Sequence, residues 1–166
     1  GNNNSAGVTQ LSSDNNSEIY QNLFGSGDNN SASVTQMGGD ENDSYIEQVG
    51  NDNTASAYQR GNLNESDIFS VGDMNMASLN QKGDSNISLI DQDGNSNSAT
   101  TVQGVTGMLS FNSTSNVFQT GDSNSSMVTQ KNGSLNLSNV TQTGMGHMST
   151  VMQVGSSNVS TVIQSN

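Results

Sequence analysis

Glutamine recurs along this chain at a spacing close to 11 residues. The 22-residue gap between Gln59 and Gln81 has Ser70 at its midpoint, inside an otherwise regular copy, so the chain holds 14 copies of an 11-residue unit. Such a repeat constrains the fold strongly, because stacked units must present matching surfaces to their neighbours. The repeated glutamines are Gln10, Gln21, Gln36, Gln48, Gln59, Gln81, Gln92, Gln103, Gln119, Gln130, Gln142, Gln153 and Gln164.

Three further positions are fixed within the unit. Asparagine stands six residues before the glutamine position in 12 of 14 copies, Ala or Ser stands four before it in all 14, and Val, Ile or Leu stands two before it in 12. Ala and Ser alternate strictly through the first nine copies, from Ala6 and Ser17 to Ala99. The asparagines are Asn4, Asn15, Asn30, Asn42, Asn53, Asn64, Asn75, Asn86, Asn97, Asn124, Asn136 and Asn158. The apolar residues are Val8, Ile19, Val34, Ile46, Ile68, Leu79, Ile90, Val117, Val128, Val140, Val151 and Val162.

Glycine stands two residues after the glutamine position in nine copies. These glycines are Gly38, Gly50, Gly61, Gly72, Gly83, Gly94, Gly121, Gly144 and Gly155. The unit is therefore Asn-x-(Ala/Ser)-x-(Val/Ile)-x-Gln-x-Gly. Its fixed residues fall on every second position, which is the period of a β-strand and places them all on one face. The glycine and the polar residues after it are expected to form the turn to the next strand.

The alternation of alanine and serine indicates two strands in each circuit of the chain. The expected fold is all-β: a two-sheet β-solenoid of the cross-β type, with about seven rungs and two strands per 22-residue rung. At about 4.8 Å per rung the stack would be roughly 30–35 Å tall. Residues 1–166 are expected to form a single repeat domain, with insertions near residues 22–29 and 104–112 that form longer turns outside the stack.

Stacking would bring identical side chains into register. Asparagine above asparagine and glutamine above glutamine are expected to form inward amide ladders, in which each side chain donates once and accepts once. The apolar row would form a thin seam between the sheets. The pattern runs from Asn4 to Gln164, and the unpaired backbone groups expected at both ends of such a stack are templates for another chain. The pattern therefore predicts a subunit of a polymer.

Composition and charge exclude several classes of function. Only 29% of the residues are hydrophobic and 11% are charged, so the chain would be disordered if the repeat did not order it. A net charge of −12 argues against nucleic acid and against an anionic membrane surface as partners. No apolar run approaches the length of a membrane span, so no membrane insertion is expected. None of the 15 acidic residues occupies an inward position, as a dry interior requires.

The unit resembles the curlin repeat of curli fibre subunits. Residues 53–64 carry the pattern in full, and the resemblance extends over nearly the whole chain. It implies a cross-β solenoid that is exported through the outer membrane of a Gram-negative bacterium. It also implies extracellular fibres on the cell surface that support biofilm matrix, adhesion and cell aggregation. The implied partners are other copies of the same chain, a nucleator subunit, and secretion and chaperone proteins of a curli-type system.

Two features differ from the major curli subunit. That subunit usually carries a glycine-rich N-terminal segment that the secretion pore recognises, and residues 1–4 are too short for one. The family example most often described has five rungs rather than seven. Both the major subunit and the minor nucleating subunit stay open as interpretations, and the regularity of the repeats up to Gln164 favours the major one.

Two other classes of protein compete with this interpretation. A monomeric ice-binding β-solenoid needs an outward row of threonines, but the row that begins with Thr9 and Thr35 is interrupted by Tyr58. A calcium-loaded repeat could use oxygen-rich turns such as those at Gly72 and Gly121, although the paired acidic turns of the calcium-binding β-roll are missing.

The sequence predicts no catalytic residue, no metal site and no cofactor. His147 occupies an inward asparagine position, and a filler in the amide ladder is favoured over a metal ligand because no Cys or second His accompanies it. A single histidine also offers no catalytic triad. Large side chains point outward just before the glutamine position. They either form an adhesive stripe or are scattered exposed residues without a common role. These residues are Tyr20, Tyr58, Phe69, Phe118, Met152 and Ile163.

Overall fold

Each copy of the unit forms one β-strand. The computed structural model describes residues 1–22 and 27–166, and within them it contains 16 strands and no helix that could cross a membrane. The long strands are β1 (Ser5–Gln10), β2 (Asn16–Gln21), β3 (Ser31–Met37), β4 (Asp43–Val49), β5 (Thr54–Arg60), β6 (Glu65–Val71), β7 (Met76–Lys82), β8 (Ile87–Asp93), β9 (Ser98–Gln103), β11 (Thr114–Thr120), β12 (Ser125–Lys131), β14 (Leu137–Thr143), β15 (Met148–Val154) and β16 (Val159–Ser165). Two short strands, β10 (Ser110–Phe111) and β13 (Gly133–Ser134), lie in the turns.

The long strands form two parallel seven-stranded sheets. The first sheet has the order β1-β3-β5-β7-β9-β12-β15, and the second has the order β2-β4-β6-β8-β11-β14-β16. Consecutive long strands alternate between the sheets, so each rung contains one strand of each sheet. The register is in phase: Ala32 pairs with Ala55 in the first sheet, and Ser44 pairs with Ser66 in the second. The predicted two-sheet β-solenoid of about seven rungs is confirmed.

A third, two-stranded sheet lies at one corner of the stack. After β9 the chain makes a small loop closed by the bridge between Val105 and Met108, and it then forms β10, which pairs in parallel with β13. No sequence pattern indicated this pair, because neither segment follows the alternation of inward and outward residues. Residues 23–26 of the insertion expected near residues 22–29 lie outside the described residues, and that insertion stays a prediction.

The interior contains more polar than apolar side chains. Among the described residues, 30 polar and 14 hydrophobic residues are buried. The apolar ones form one thin cluster between the sheets, with Ile46, Ile68 and Ile90 wholly buried on the second sheet. So narrow a seam cannot by itself balance the entropy of ordering the chain. The hydrogen bonds of the buried polar groups therefore decide whether the fold is stable.

The corners between strands depend on left-handed backbone conformations. The residue directly before the inward asparagine has a positive φ, even where it is Leu63 (56°) or Met74 (57°). Close packing between rungs is a second reason why glycine occupies its position in the corner. A Cβ added to Gly72 would lie 2.1 Å from the carbonyl oxygen of Gly94 in the next rung. No larger residue fits there, which explains why glycine recurs at this point of the unit.

The buried serines of the second sheet differ in their hydrogen bonding, and this difference can be tested. The buried Ser66 hydroxyl donates to Ser44 at 2.9 Å, whereas the buried Ser88 hydroxyl has no partner. Since an unsatisfied buried hydroxyl is costly, we expect Ser88→Ala to stabilise the protein by about 1 kcal/mol and the matched Ser66→Ala to destabilise it by a similar amount. Guanidinium unfolding followed by circular dichroism measures both. Equal destabilisation by the two substitutions would contradict this account.

Candidate assembly surface

The glutamines of the first sheet form an unbroken ladder. Seven side chains from Gln10 to Gln153 stack along the axis, and Nε2 of each of the first six donates to Oε1 of the glutamine in the following rung at 2.7–3.1 Å. The glutamines inside the stack are almost wholly buried, whereas Gln10 is exposed at the first rung. All of these bonds point in the same direction, so the ladder has a donor end and an acceptor end.

Each glutamine also connects the two sheets. The second N–H of Gln59 reaches the backbone carbonyls of Asp43 at 2.7 Å and Asn64 at 2.9 Å, both beside the second sheet. In the opposite direction, Nε2 of Gln119 donates to the carbonyl of Ser98 at 3.0 Å. One side chain therefore fixes both the spacing between rungs and the spacing between sheets, which leaves little freedom in register.

The glutamine ladder of the second sheet has one gap. Its bonds run from Gln21 to Gln48 and from Gln92 through Gln119 and Gln142 to Gln164, at 2.8–3.0 Å. Between Gln48 and Gln92 stands Ser70, whose short side chain donates to Oε1 of Gln92 at 3.3 Å. Gln48 keeps a hydrogen bond to the carbonyl of Ser31 at 3.1 Å. The serine satisfies one neighbour and leaves the other without an axial acceptor.

The asparagines of the first sheet act mainly as caps of the corners. Oδ1 of Asn53 accepts the backbone N–H of Asn75 in the next rung at 2.9 Å, and Nδ2 of Asn75 donates to the carbonyl of Gly94 at 2.7 Å. This arrangement differs from the expected ladder of one amide on another. The amide is at the end of a short side chain beside the turn, where unpaired backbone groups need partners.

In the second sheet the asparagines cap the corners and also bond one another. Nδ2 of Asn64 donates to Oδ1 of Asn42 at 3.0 Å, and Nδ2 of Asn86 donates to Oδ1 of Asn64 at 3.1 Å. These bonds point from each rung to the preceding one, which is opposite to the direction of the glutamine ladder. Asn4, Asn15 and Asn158 lie in the terminal rungs and are half-buried.

Two other residues occupy asparagine positions. The backbone N–H of His147 donates to Oδ1 of Asn124 at 3.0 Å, and Nε2 of His147 lies 3.0 Å from the carbonyl oxygen of Thr143. Ser113 receives the backbone N–H of Asn136 on its hydroxyl at 3.3 Å. Each of these side chains therefore makes one of the corner contacts of the asparagine it replaces.

A further ladder lies on the outside of one corner, and sequence reasoning missed it. Asp28, Asn51, Asp73, Asn95 and Asp122 follow one another along the stack, and each accepts the backbone N–H of the residue before it in the series. The distances are 2.8–3.0 Å. Asp and Asn alternate, so carboxylates are separated by an amide that can donate to them. The repetition of Asp and Asn at the same turn position was the indication available in the sequence.

The two outer faces carry different charges. Seven carboxylates lie on the strands of the second sheet, all in the first four rungs, and no acidic residue lies on a strand of the first sheet. They are Glu18, Asp43, Glu47, Glu65, Asp67, Asp91 and Asp93. The only three basic residues, Arg60, Lys82 and Lys131, all end strands of the first sheet. The stack thus has an acidic face, defined by those seven residues, and a face without strand carboxylates.

Aromatic rings cross the acidic face. The centroids of Tyr20 and Tyr45 lie 5.6 Å apart, and those of Tyr45 and Phe69 lie 5.4 Å apart. Burial and the hydrogen bond with Glu47 raise the pKa of Tyr45 to about 12. The predicted outward series included Tyr20 and Phe69 but not Tyr45, which lies two positions earlier in its strand and fills the space between them. Tyr58 lies on the other sheet.

The first and last rungs leave strand edges uncovered. Along the apolar row, Val8 is 49% exposed, whereas Val34 in the next rung is 1% exposed. At the other end Val162 is only partly buried, whereas Val140 in the preceding rung is 0% exposed. Backbone and ladder groups that are satisfied by a neighbouring rung inside the stack face outward here. An edge of this kind can accept another strand.

Comparison with known families agrees with the geometry of the repeat. A family model described as the Curlin associated repeat matches residues 26–50, 50–83, 72–104 and 112–144, which together make up more than half of the chain. A comparison with curated proteins gave no match.

The gap at Ser70 gives a test of the ladder. We expect Ser70→Gln to stabilise the protein by about 1 kcal/mol, because the longer side chain would restore the axial bonds to Gln48 and Gln92. The matched substitution Gln92→Ser would widen the existing gap by one rung and lower the stability. Guanidinium unfolding measures both effects. A strongly destabilised Ser70→Gln protein would show that the sheets pack too closely at Ser70 to admit the longer side chain.

The acidic face makes stability depend on pH. Burial, followed by the charges of Glu65 and Asp43, raises the pKa of Asp67, and burial followed by Asp93 raises the pKa of Asp91. The folded protein thus holds these protons more tightly than the unfolded chain. The two carboxyl groups contribute their full stabilisation below about pH 3.9, which is the pKa of an Asp side chain in the unfolded chain. This stabilisation is lost as the pH rises through the raised pKa values of the folded protein.

We therefore expect the guanidinium midpoint to fall as the pH rises from about 4 towards 7, and Asp67→Asn to reduce this slope. Glu41→Gln removes the same charge from an exposed turn and serves as the control. Equal slopes in Asp67→Asn and the unsubstituted protein would count against the contribution of Asp67.

Proposed function

The chain belongs to the curlin repeat family, and we propose that it is a structural subunit that stacks end to end into extracellular amyloid fibres. Members of this family are structural fibre proteins, and the β-solenoid fits a curli-type subunit. The observation that carries the proposal is the match between the two uncovered ends of the stack. The contacts that join one rung to the next within the chain can be repeated between the last rung of one copy and the first rung of another.

The first sheet gives one half of the match. Continuing the register of β12 and β15 would place β15 beside β1 of a second copy. Ser149 would then meet Ala6, Val151 would meet Val8, and Gln153 would meet Gln10. Each inward residue would face a residue of the same class, as it does inside the stack. The exposed Val8 would be covered by this pairing.

The second sheet gives the other half. There β16 would lie beside β2, so that Val162 meets Ile19 and Gln164 meets Gln21, and both apolar residues are half-buried in the single chain. Nε2 of each glutamine donates towards the following rung, so the last rung offers donors where the first rung offers Oε1 acceptors. Head-to-tail stacking satisfies both ladders, whereas head-to-head stacking would oppose two donors. The fibre is therefore polar.

Fibres of this kind would lie on the bacterial cell surface. There they would support biofilm matrix, adhesion and cell aggregation. The partners would be other copies of this chain, together with a nucleator subunit and the secretion and chaperone proteins of a curli-type system. The regular repeat in the terminal rungs favours the major fibre subunit over the minor nucleating subunit, because both ends can continue the stack.

Assembly is tested by diluting the purified chain from denaturant into buffer. We expect disordered circular dichroism, a lag, and then sedimenting fibres with reflections at about 4.7 and 10 Å. A chain that folded at once to soluble β-structure and stayed monomeric would contradict the proposal. Antifreeze activity, or unfolding by a chelator, would then support the ice-binding or the calcium-loaded alternative.

The proposed register has its own test. It places Thr161 opposite Glu18 of the next copy, and Thr150 opposite Gly7. Since opposite charges on facing positions attract, we expect Thr161→Lys to speed seeded fibre growth more than Thr150→Lys does. Both changes add the same charge to an outward position of the terminal rungs, so they share the effect on net charge. Equal growth rates for the two variants would refute the register.

A further inference from the structure

Two of the three basic residues form an unusual pair. Arg60 and Lys82 lie directly opposite each other in the register of β5 and β7, on strands that are about 4.8 Å apart. Like charges at facing positions of a sheet repel each other. Among the residues that the structure describes, no carboxylate oxygen comes within 4.0 Å of either side chain. In a chain of net charge −12, this pair therefore forms no salt bridge within the described residues.

The loop after β9 encloses this pair. It turns outward at Gly104 and passes beside the ends of β5 and β7, where Oγ1 of Thr106 lies 3.5 Å from Nζ of Lys82. A cleft of about 460 Å³ remains between the loop and the strand ends, lined by Arg60, Lys82, Thr106 and Leu109 among others. Among the described residues, the turns that follow the other strands of the first sheet are shorter, so none of those turns has the same wall.

The cleft offers three kinds of contact at once. Its two cations can share one oxyanion, the hydroxyl of Thr106 can bond a polar group, and glycine turns form part of the lining without side chains in the way. Nζ of Lys82 also lies 5.7 Å from the ring centroid of Tyr58. The Tyr58 ring does not line the cleft, but it lies two residues before Arg60 on the same outer face of β5. A sugar chain that extends from the cleft along the first sheet would reach this ring, and a bare ion would not.

We propose that this cleft binds an anionic sugar, through a carboxylate or sulfate group held between Arg60 and Lys82. The ligand approaches the first sheet, whose strands carry no carboxylate, while the acidic face is on the far side of the stack. The separation between the cleft and the acidic face matters, because exposed charges more than about 8–10 Å apart are largely screened at physiological salt. Asp84 also lines the cleft, and its carboxylate accepts the N–H groups of Asn62 at 2.8 and 3.2 Å. The Asp84 carboxylate weakens the attraction of the cleft for an anion but leaves the site between Arg60 and Lys82 open.

Equilibrium dialysis of the full chain against short labelled oligosaccharides tests the site in any state of assembly. The probes are a uronate oligomer, a sulfated oligomer, a neutral glucan of equal length and a short DNA duplex. We expect one or both of the anionic sugars to be retained at low ionic strength and the neutral glucan to pass freely. Retention of the uronate alone or of the sulfated oligomer alone supports the proposal and identifies the anion. Failure of both sugars, or tighter retention of the DNA, overturns the proposal.

The variants separate this cleft from general charge attraction. Arg60→Gln and Lys82→Gln should each weaken retention about tenfold, the effect of losing one charge-assisted hydrogen bond. Lys131→Gln is the matched control, since Lys131 has the same position in its strand but lies outside the cleft. It should change retention less than about twofold. Asp84→Asn should tighten binding. Equal losses in all three cation variants, or no gain in Asp84→Asn, would overturn the assignment.

Discussion

The structure depends on the hydrogen bonds of buried amide side chains. An apolar core tolerates small shifts, because contacts between hydrocarbon groups have little directional preference. An interior of glutamine and asparagine does not, since each buried N–H or carbonyl that loses its partner costs about 1–3 kcal/mol. Gln59 illustrates the constraint. Its side chain bonds the rung before it, the rung after it and two backbone carbonyls. Rung height, sheet separation and register all follow from that one residue.

This dependence explains where the repeat is strict and where it is free. A one-residue slip would turn every inward side chain to the surface, so the inward positions hardly vary. Ser70 is accepted in place of glutamine because its hydroxyl still reaches Gln92. Outward side chains do not have to match a neighbour in this way, and the charged residues of the strands lie at these positions. The acidic face occupies the first four rungs only, so the outer face of the second sheet carries strand carboxylates at one end of the stack and none at the other.

The period of two and the 22-residue circuit were enough to predict the strands and the two sheets, because these follow from local alternation. Other features depend on contacts between residues about 22 positions apart. The corner series that contains Asp73 and Asn95 was not predicted, since nothing local shows which backbone N–H each oxygen accepts. The left-handed residues Leu63 and Met74 were not foreseen, because their side chains carry no preference for that conformation. The pairing of β10 with β13 joins two segments that lack any pattern.

The opposite directions of the two ladders in the second sheet have a consequence for length. A row of aligned amide dipoles adds up along its axis, as peptide dipoles do in an α-helix. In this sheet the glutamine amides donate towards the following rung, while Asn64 and Asn86 donate towards the preceding one. Their axial dipoles therefore cancel in part. Hydrogen bonds can polarise their neighbours along each row while the partial charge at the two ends of this sheet stays small. The second sheet can therefore be lengthened rung by rung with little growth of its axial dipole.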